Sequence, residues 1–160
     1  MMKRFGYRNK MAVPRFEKVV LNAGFGRQIV GKNSAEQKKF LETMLDQLAL
    51  IAGQKPILTR AKKSIAAFKI KKRTPVGAMV TLRGQRMWDF LERLINIVLP
   101  RSRDFKGIPA KSVNLGNITI GIRESIAFPE ISPEKTKGIF GLEVSVVTNA
   151  PKKKRSRRII

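Results

Sequence analysis

The apolar pattern changes its period within residues 78–98, which read AMVTLRGQRMWDFLERLINIV. In the first part, Val80 and Leu82 would lie on one face of a half-buried strand that ends at Gly84. The other face of that strand would carry Met79, Thr81 and Arg83. Within residues 86–98 the apolar side chains then recur at helical spacing. Their apolar stripe consists of Met87, Phe90, Leu91, Leu94, Ile95 and Val98. The stretch predicts a strand followed by an amphipathic helix that ends before Pro100.

Residues 16–22 are rich in β-branched and apolar side chains, and Gly24-Phe25-Gly26 follows them. This pattern predicts a strand and a turn. A glycine-rich turn between a strand and a helix can also bind the phosphates of a dinucleotide. Here the spacing does not fit, because the next glycine is Gly31 and the neighbouring segments do not alternate strand and helix. A nucleotide site is therefore disfavoured.

A long helix is predicted to begin at Ser34, since its hydroxyl and Gln37 three residues later fit a capping box. The apolar residues that follow recur at helical spacing. They are Phe40, Leu41, Met44, Leu45, Leu48, Ile51 and Ala52. Gly53 and Pro56 would end this helix, and residues 55–59 are predicted as a short strand.

Two alternating segments, residues 118–122 and 142–147, predict further strands with one apolar face each, whereas residues 101–116 resemble a surface loop. Several strands with only two long helices favour an α+β fold. We expect a largely antiparallel sheet with two main helices packed on one face and an open second face. Small or cationic side chains on that open face would suit nucleic acid. They are Thr81, Arg83, Thr119 and Arg123.

The 160-residue chain carries 34 Lys and Arg against 11 Asp and Glu, a formal charge of +23. Residues 1–150 are predicted to form one domain, and residues 151–160 a basic tail that is disordered in the free protein. The like charges of so basic a protein repel one another unless a polyanion neutralises them. The candidate partners are therefore nucleic acid and an anionic membrane surface. Membrane binding is the weaker alternative, because both helices need their apolar stripes for the core. No apolar run is long enough to span a bilayer, and a soluble, non-secreted protein is expected.

Cysteine and histidine are both absent, which excludes disulfides, Cys/His zinc sites and a histidine general base. Glu124, Glu130 and Glu134 are close in sequence, but solvated loop charges are a simpler interpretation than an acid and base pair. Ser64 or Ser125 would need an activating base, and only Lys is available. The sequence therefore predicts no enzyme, no metal and no cofactor.

Two cationic segments favour phosphate binding. In the first, Lys62-Lys63 and Lys71-Lys72-Arg73 bracket the apolar residues 65–68, which predicts a loop held at its base and charged at its extremity. The second is the tail, with Lys152, Lys153, Lys154, Arg155, Arg157 and Arg158. Its composition fits a nuclear-localisation signal as well as an RNA-binding tail. We favour the RNA-binding interpretation.

Many short motifs in this order resemble ribosomal large-subunit protein five of the bacterial type. The N-terminal ones are Phe5-Gly6-Tyr7-Arg8-Asn9, Val13-Pro14-Arg15, Val19-Val20-Leu21-Asn22-Ala23-Gly24, Gly53-Gln54-Lys55-Pro56 and Thr59-Arg60-Ala61-Lys62-Lys63-Ser64-Ile65. The later ones are Val80-Thr81-Leu82-Arg83-Gly84, Leu99-Pro100-Arg101, Arg103-Asp104-Phe105-Lys106-Gly107 and Phe128-Pro129-Glu130-Ile131. The resemblance covers residues 5–150.

The resemblance implies a structural protein of the central protuberance, in the cytoplasmic or an organellar ribosome, that binds 5S ribosomal RNA with its sheet face. Asn22, Gln54 and Thr81 match family positions that contact 5S RNA. The predicted 5S-binding set adds the cations Lys55, Arg60, Lys62, Lys63 and Arg83. Amide and hydroxyl groups of this kind can contact sugar, phosphate or base edges.

Further partners are implied by the same resemblance. They are large-subunit ribosomal RNA, neighbouring proteins of the 5S particle, transfer RNA in the peptidyl site, and small-subunit protein thirteen across an inter-subunit bridge. The loop at residues 69–77 would reach transfer RNA through Lys69, Lys71, Lys72 and Arg73. A free regulatory or chaperone-like RNA binder remains the main alternative, ahead of a membrane-associated protein and an enzyme.

Two departures from the family pattern concern the ends of the chain. Most of the helical leader that precedes Phe-Gly-Tyr in the family is not present, and Pro151 with the basic tail stands where the family has an acidic, Leu-rich final helix. We therefore expect the core to be covered differently in this chain.

Overall fold

The computed structural model describes residues 6, 9–30, 33–103, 105–109, 112–114, 116–131 and 139–150. Within them a six-stranded sheet has the order β2-β3-β1-β6-β5-β4, and every neighbouring pair is antiparallel. The strands are β1 (Phe16–Gly24), β2 (Ile57–Arg60), β3 (Pro75–Leu82), β4 (Val113–Asn114), β5 (Asn117–Ile122) and β6 (Leu142–Thr148). The predicted strands and the antiparallel arrangement are confirmed; β4, inside the predicted loop, was not foreseen.

The helices are α1 (Gly26–Ile29), α2 (Ser34–Ala52) and α3 (Gln85–Arg93), with single 3-10 turns at Lys10–Ala12, Ala66–Phe68 and Ser125–Ala127. Helix α2 ends as predicted, because Gly53 adopts the left-handed conformation with φ 66°. Its predicted capping box is wrong. Asn33 is the N-cap, so Ser34 is already the first helical residue.

The second long helix does not end before Pro100. A π-helical segment, Leu94–Val98, continues α3, and a last turn, Leu99–Arg101, contains the proline. The Leu99 N–H donates to the Leu94 carbonyl five residues back, which is the wide winding of a π-helix. Pro100, which has no N–H to donate, follows directly after this wider turn. Ile95 lies in this π-helical segment and is 58% exposed. The prediction that Ile95 belongs to the buried stripe is wrong.

Both long helices contribute to one core on one face of the sheet. Alternate strand residues are buried there, for example Val19 and Leu21 on β1 and Val80 on β3. Met44 and Leu48 from α2, and Phe90 and Leu94 from α3 and its continuation, belong to the same cluster. The predicted α+β class with an antiparallel sheet is confirmed, and no helix of the described residues covers the second face of the sheet.

Two aromatic pairs lie within this core. Phe90 stacks on Phe128 with ring centroids 6.1 Å apart, and Phe25, 2% exposed, meets Phe40 edge to face. The Gly24-Phe25-Gly26 turn differs from a dinucleotide-binding turn, because Phe25 is buried and the sheet is antiparallel rather than parallel. The predicted domain bounds remain a prediction. The expected absence of the family's final helix and the expected basic tail both concern residues 151–160, which lie outside the described residues.

Candidate nucleic-acid interface

The sheet face opposite the core carries side chains that none of the described helices buries. Strand register places the following residues on the central part of this open face: Val20, Asn22, Met79, Thr81, Glu143 and Ser145. Each is partly or fully exposed. The Thr119 and Ser145 hydroxyl oxygens lie 3.2 Å apart on the same face. Short polar side chains on a flat sheet can meet RNA sugars and base edges.

Asn22 lies near the middle of the sheet. It pairs with Met79 on β3 and with Glu143 on β6. Its side chain is partly buried, and in the described part of the chain its amide makes no hydrogen bond. Since a partly buried amide is stabilised by a partner, Asn22 is well placed to bind a ligand at the open face.

Gln54 and Thr81, predicted together, are in direct contact. The Gln54 amide donates to the Thr81 backbone carbonyl at 2.9 Å. Strand β2 begins only at Ile57, which pairs with Met79, so β2 has no residue that pairs with Thr81. The Gln54 Oε1 accepts from Arg86 at 3.5 Å. Gln54 therefore has a structural role at the edge of β3, and only part of its amide remains for RNA.

Arg83 and Lys55 lie at the same end of the sheet as Gln54, and both are exposed. The Arg83 guanidinium is 3.9 Å from the Glu17 carboxylate, with both side chains more than half exposed. An exposed pair at this distance stabilises little. The Arg83 cation is therefore available to a phosphate at small cost.

The segment between β2 and β3 is an irregular hairpin. It is held by the Ala61 N–H to Thr74 carbonyl bond at 2.9 Å and by mutual bonds between Ile65 and Ile70 at 2.9 and 3.2 Å. Its turn is formed by residues 66–69, where Phe68 is 57% exposed. The predicted charged extremity is wrong for Lys62, Lys63, Lys71, Lys72 and Arg73, because these cations flank a turn that holds three apolar residues and a single cation, Lys69.

All the predicted cations of this hairpin are exposed. They are Arg60, Lys62, Lys63, Lys69, Lys71, Lys72 and Arg73. None of them is paired with a carboxylate in the described part of the chain. Unpaired, exposed cations can neutralise phosphates without first breaking an ion pair.

The predicted 5S-binding residues fall into two places. Arg60 pairs in register with Pro75 at one end of β3, whereas Gln54 contacts Thr81 at the other end. Six residues of extended strand separate these ends by about 20 Å. Arg60, Lys62 and Lys63 thus belong with the hairpin rather than with the sheet-face residues. The tail cations lie outside the described residues.

Residues that the sequence did not connect meet beside β5. Arg123, predicted on the open face, lies just beyond β5 and lines a groove with Arg101 and Arg103. Lys106 lines the adjoining groove. Only the packing of α3 against the sheet brings the loop arginines to the end of β5, so no sequence pattern indicates this cluster.

Among the residues that the structure describes, no acidic cluster could hold a metal ion. No helix found there has the length and apolar character to cross a membrane. Glu130 forms an ion pair with Arg93, while Glu124 is exposed and Glu134 lies outside the described residues.

Two family models match the chain. The model described as "Ribosomal protein L5" matches residues 9–71, and the model of the C-terminus of the same ribosomal family matches residues 75–160. The chain belongs to the ribosomal protein L5 family. The first matched region supplies β1 and β2 and the second supplies β3 to β6, so both regions contribute to one sheet.

Curated relatives agree with this assignment. The chain is 53% identical to large ribosomal subunit protein uL5 of Roseiflexus sp. (strain RS-1) over 152 aligned residues. The aligned region covers 94% of this chain and 81% of the relative. It is 47% identical over 161 residues to the protein of the same name from Desulfatibacillum aliphaticivorans, covering 100% and 87%. The uL5 protein of Thermoanaerobacter sp. (strain X514) is 50% identical, covering 94% and 81%.

Family membership makes this chain a structural, non-enzymatic constituent of the large ribosomal subunit in the cytoplasm. The predicted resemblance and the predicted ribosomal role are therefore confirmed. The sites and the individual partners remain predictions.

Proposed function

We propose that this protein binds 5S ribosomal RNA through the open face of its sheet and anchors that RNA in the central protuberance of the large subunit. The observation that carries the proposal is the Asn22 amide, unpartnered among the described residues, on a sheet face that none of the described helices covers. Thr81 and the Gln54 amide lie further along the same strand pair. The formal charge of +23 supplies the long-range attraction to RNA.

The binding energy would divide between the two places. Cations attract any RNA backbone, so the hairpin group contributes affinity with little sequence information. Asn22 and Thr81 can contact sugars and base edges, so the open face contributes the preference for one RNA. We expect the hairpin to contact large-subunit ribosomal RNA or peptidyl-site transfer RNA, through Lys69, Lys71, Lys72 and Arg73.

The test compares the affinity for 5S RNA with the affinity for an unrelated structured RNA of equal length, each over a range of salt. About six phosphate contacts would give a log–log slope near −4 to −5 for both RNAs, while only the 5S complex should keep an advantage at high salt. Asn22→Ala should remove at least about 1 kcal/mol of that advantage.

A matched control is Asn96→Ala, since Asn96 is an exposed asparagine in the π-helical segment. It should leave the affinities for both RNAs unchanged. Equal binding of both RNAs by the unaltered protein would refute the 5S role. A preference that survives Asn22→Ala and Thr81→Val together would refute the open face as its site.

The proposed contacts with peptidyl-site transfer RNA and with small-subunit protein thirteen need assembled ribosomes. Replacing Lys71, Lys72 and Arg73 with Gln should weaken transfer-RNA binding at the peptidyl site and leave subunit association intact. Unchanged transfer-RNA dissociation would remove the hairpin from that role. Neighbouring proteins of the 5S particle would be identified by co-purification with the bound 5S RNA.

A further inference from the structure

The Gln54 side chain is held from two sides at the end of the sheet where β3 leads into α3. Its amide nitrogen donates to the Thr81 carbonyl at 2.9 Å, and its amide oxygen accepts from the Arg86 guanidinium at 3.5 Å. The reverse orientation of the amide would set oxygen against oxygen and N–H against N–H. One N–H and one lone pair of the amide therefore remain, in a fixed orientation, for a ligand.

The position of Arg86 depends on a tight connection between strand and helix. Strand β3 ends at Leu82 and α3 begins at Gln85, so only Arg83 and Gly84 connect them. Gly84 is the N-cap of α3 and adopts φ 58° and ψ −137°, a backbone conformation that favours glycine. The connection places the first turn of α3 beside an amide that lies 32 residues away in sequence from Arg86.

The guanidinium of Arg86 is exposed and is paired with no carboxylate of the described residues. The acidic side chain one turn further along the helix, Asp89, accepts instead from Gln85 at 2.9 Å. A guanidinium carries five N–H donors in a planar fork, so its one bond to the amide leaves donors for a phosphate. Because Arg83 and Lys55 are exposed at the same end of the sheet, an anion bound there would also be attracted by their charges.

We propose that Arg86 is a further RNA-binding residue and that it positions Gln54: one part of its guanidinium fork holds the amide oxygen, and the other part binds a phosphate of the bound RNA. The phosphate contact contributes affinity for any RNA backbone. The oriented amide contributes to the choice of RNA, because its donor and acceptor can distinguish sugar and base edges. The inference rests on the proposed function, since it takes 5S RNA as the ligand.

The first experiment tests the phosphate contact by titrating the full chain with 5S RNA over a range of salt. Arg86→Gln should weaken binding by on the order of 10- to 100-fold, the range for loss of a hydrogen bond to a charged group. It should also make the log–log salt slope shallower by about 0.9, the change for one phosphate. The control is Lys38→Gln, which removes the same charge from an exposed position on α2 and should leave the slope unchanged.

The second experiment tests the positioning of Gln54 by a double-mutant cycle. The preference for 5S RNA over an unrelated structured RNA of equal length is measured for Arg86→Gln, for Gln54→Ala and for both together. Arg86→Gln should reduce the preference by on the order of 5-fold when Gln54 is present and should not reduce it further in Gln54→Ala. Arg86→Lys should restore the salt slope but not the preference, because one ammonium group does not replace a planar fork. Circular dichroism of each variant separates lost binding from lost folding.

The phosphate contact is overturned if Arg86→Gln has the same salt slope as Lys38→Gln. The positioning role is overturned if Arg86→Gln reduces the preference equally with and without Gln54, or if Arg86→Lys restores the preference in full. These results leave an Asn22-dependent preference for 5S RNA intact. Equal binding of both RNAs by the unaltered protein refutes the proposed 5S role and the positioning role with it, while a shallower slope in Arg86→Gln would still support the phosphate contact.

Discussion

Gly77 lies on β3 where two neighbouring strands leave no room for a side chain. A Cβ at this position would be 2.7 Å from the Ala23 carbonyl oxygen and 2.9 Å from the Thr59 hydroxyl oxygen. We expect Gly77→Ala to lower the free energy of unfolding by about 1–3 kcal/mol, the usual cost of forcing atoms into a packed site. Urea denaturation measures it.

The control for this change is Gly121→Ala on β5. A Cβ on Gly121 would meet nothing within 4 Å, so the substitution should be neutral or should stabilise by about 0.4–1 kcal/mol through the unfolded chain. Equal loss of stability in both variants would mean that strand glycines matter here for a reason other than close approach.

Asn22 and Gln54 differ in a way that separates binding from stability. The Gln54 amide is hydrogen-bonded within the protein, whereas the Asn22 amide has no partner among the described residues. Gln54→Ala should therefore lower the free energy of unfolding by about 1 kcal/mol and also reduce the 5S preference. Asn22→Ala should reduce the preference alone. Urea denaturation with parallel RNA titrations checks this, and a comparable destabilisation by Asn22→Ala would contradict it.

The Arg93–Glu130 ion pair joins three elements. Arg93 on α3 pairs with Glu130 in the turn after the last 3-10 helix, and its guanidinium also donates to the Ile51 carbonyl at the end of α2 at 3.3 Å. The pair is only partly exposed, so water and salt screen it less than a surface pair. Glu130→Gln should lower the free energy of unfolding by about 1–2 kcal/mol.

Glu124→Gln provides the matched control, because Glu124 is exposed and has no ion pair in the described part of the chain. It should change stability by less than about 0.5 kcal/mol. Urea midpoints of the two variants, each compared with the unaltered protein, decide the matter. Equal midpoints would mean that the pair adds nothing to the junction of α2 and α3.

The charge of the whole molecule should make the free protein sensitive to salt. At +23, mutual repulsion of like charges destabilises the compact state, and the two ion pairs among the described residues oppose it weakly. Added monovalent salt should therefore raise the melting temperature by several degrees through screening. Calorimetry at low and high concentrations of sodium chloride and of sodium bromide measures this effect.

Screening and specific anion binding can be told apart in that experiment. Equal rises with both salts indicate general screening, whereas a rise that depends on the anion indicates binding to particular sites. A fall in the melting temperature with both salts would contradict the repulsion argument. Stoichiometric 5S RNA should raise the melting temperature further, because a ligand that binds only the folded state stabilises it.

Local patterns in the sequence were sufficient for most of the secondary structure. Period-two alternation located β3, β5 and β6, and helical spacing located α2 and α3, because a side chain's face follows directly from the geometry of its own element. Local reasoning was wrong about the capping box at Ser34, the helix end before Pro100 and the burial of Ile95. All three errors concern positions whose role depends on how the chain approaches or leaves a helix.

The sequence by itself determined the antiparallel α+β class, the family, the polyanionic class of partner and the candidate residues, since charge, periodicity and ordered motifs are properties of the linear chain. Only the tertiary structure decided which of those residues meet. Within the described residues it joined Gln54 to Thr81, left the Asn22 amide unpartnered, separated the hairpin cations from the sheet-face group, and brought three arginines together beside β5. These relations depend on contacts between residues distant in sequence, and such contacts are set by strand register and core packing, which no local pattern specifies.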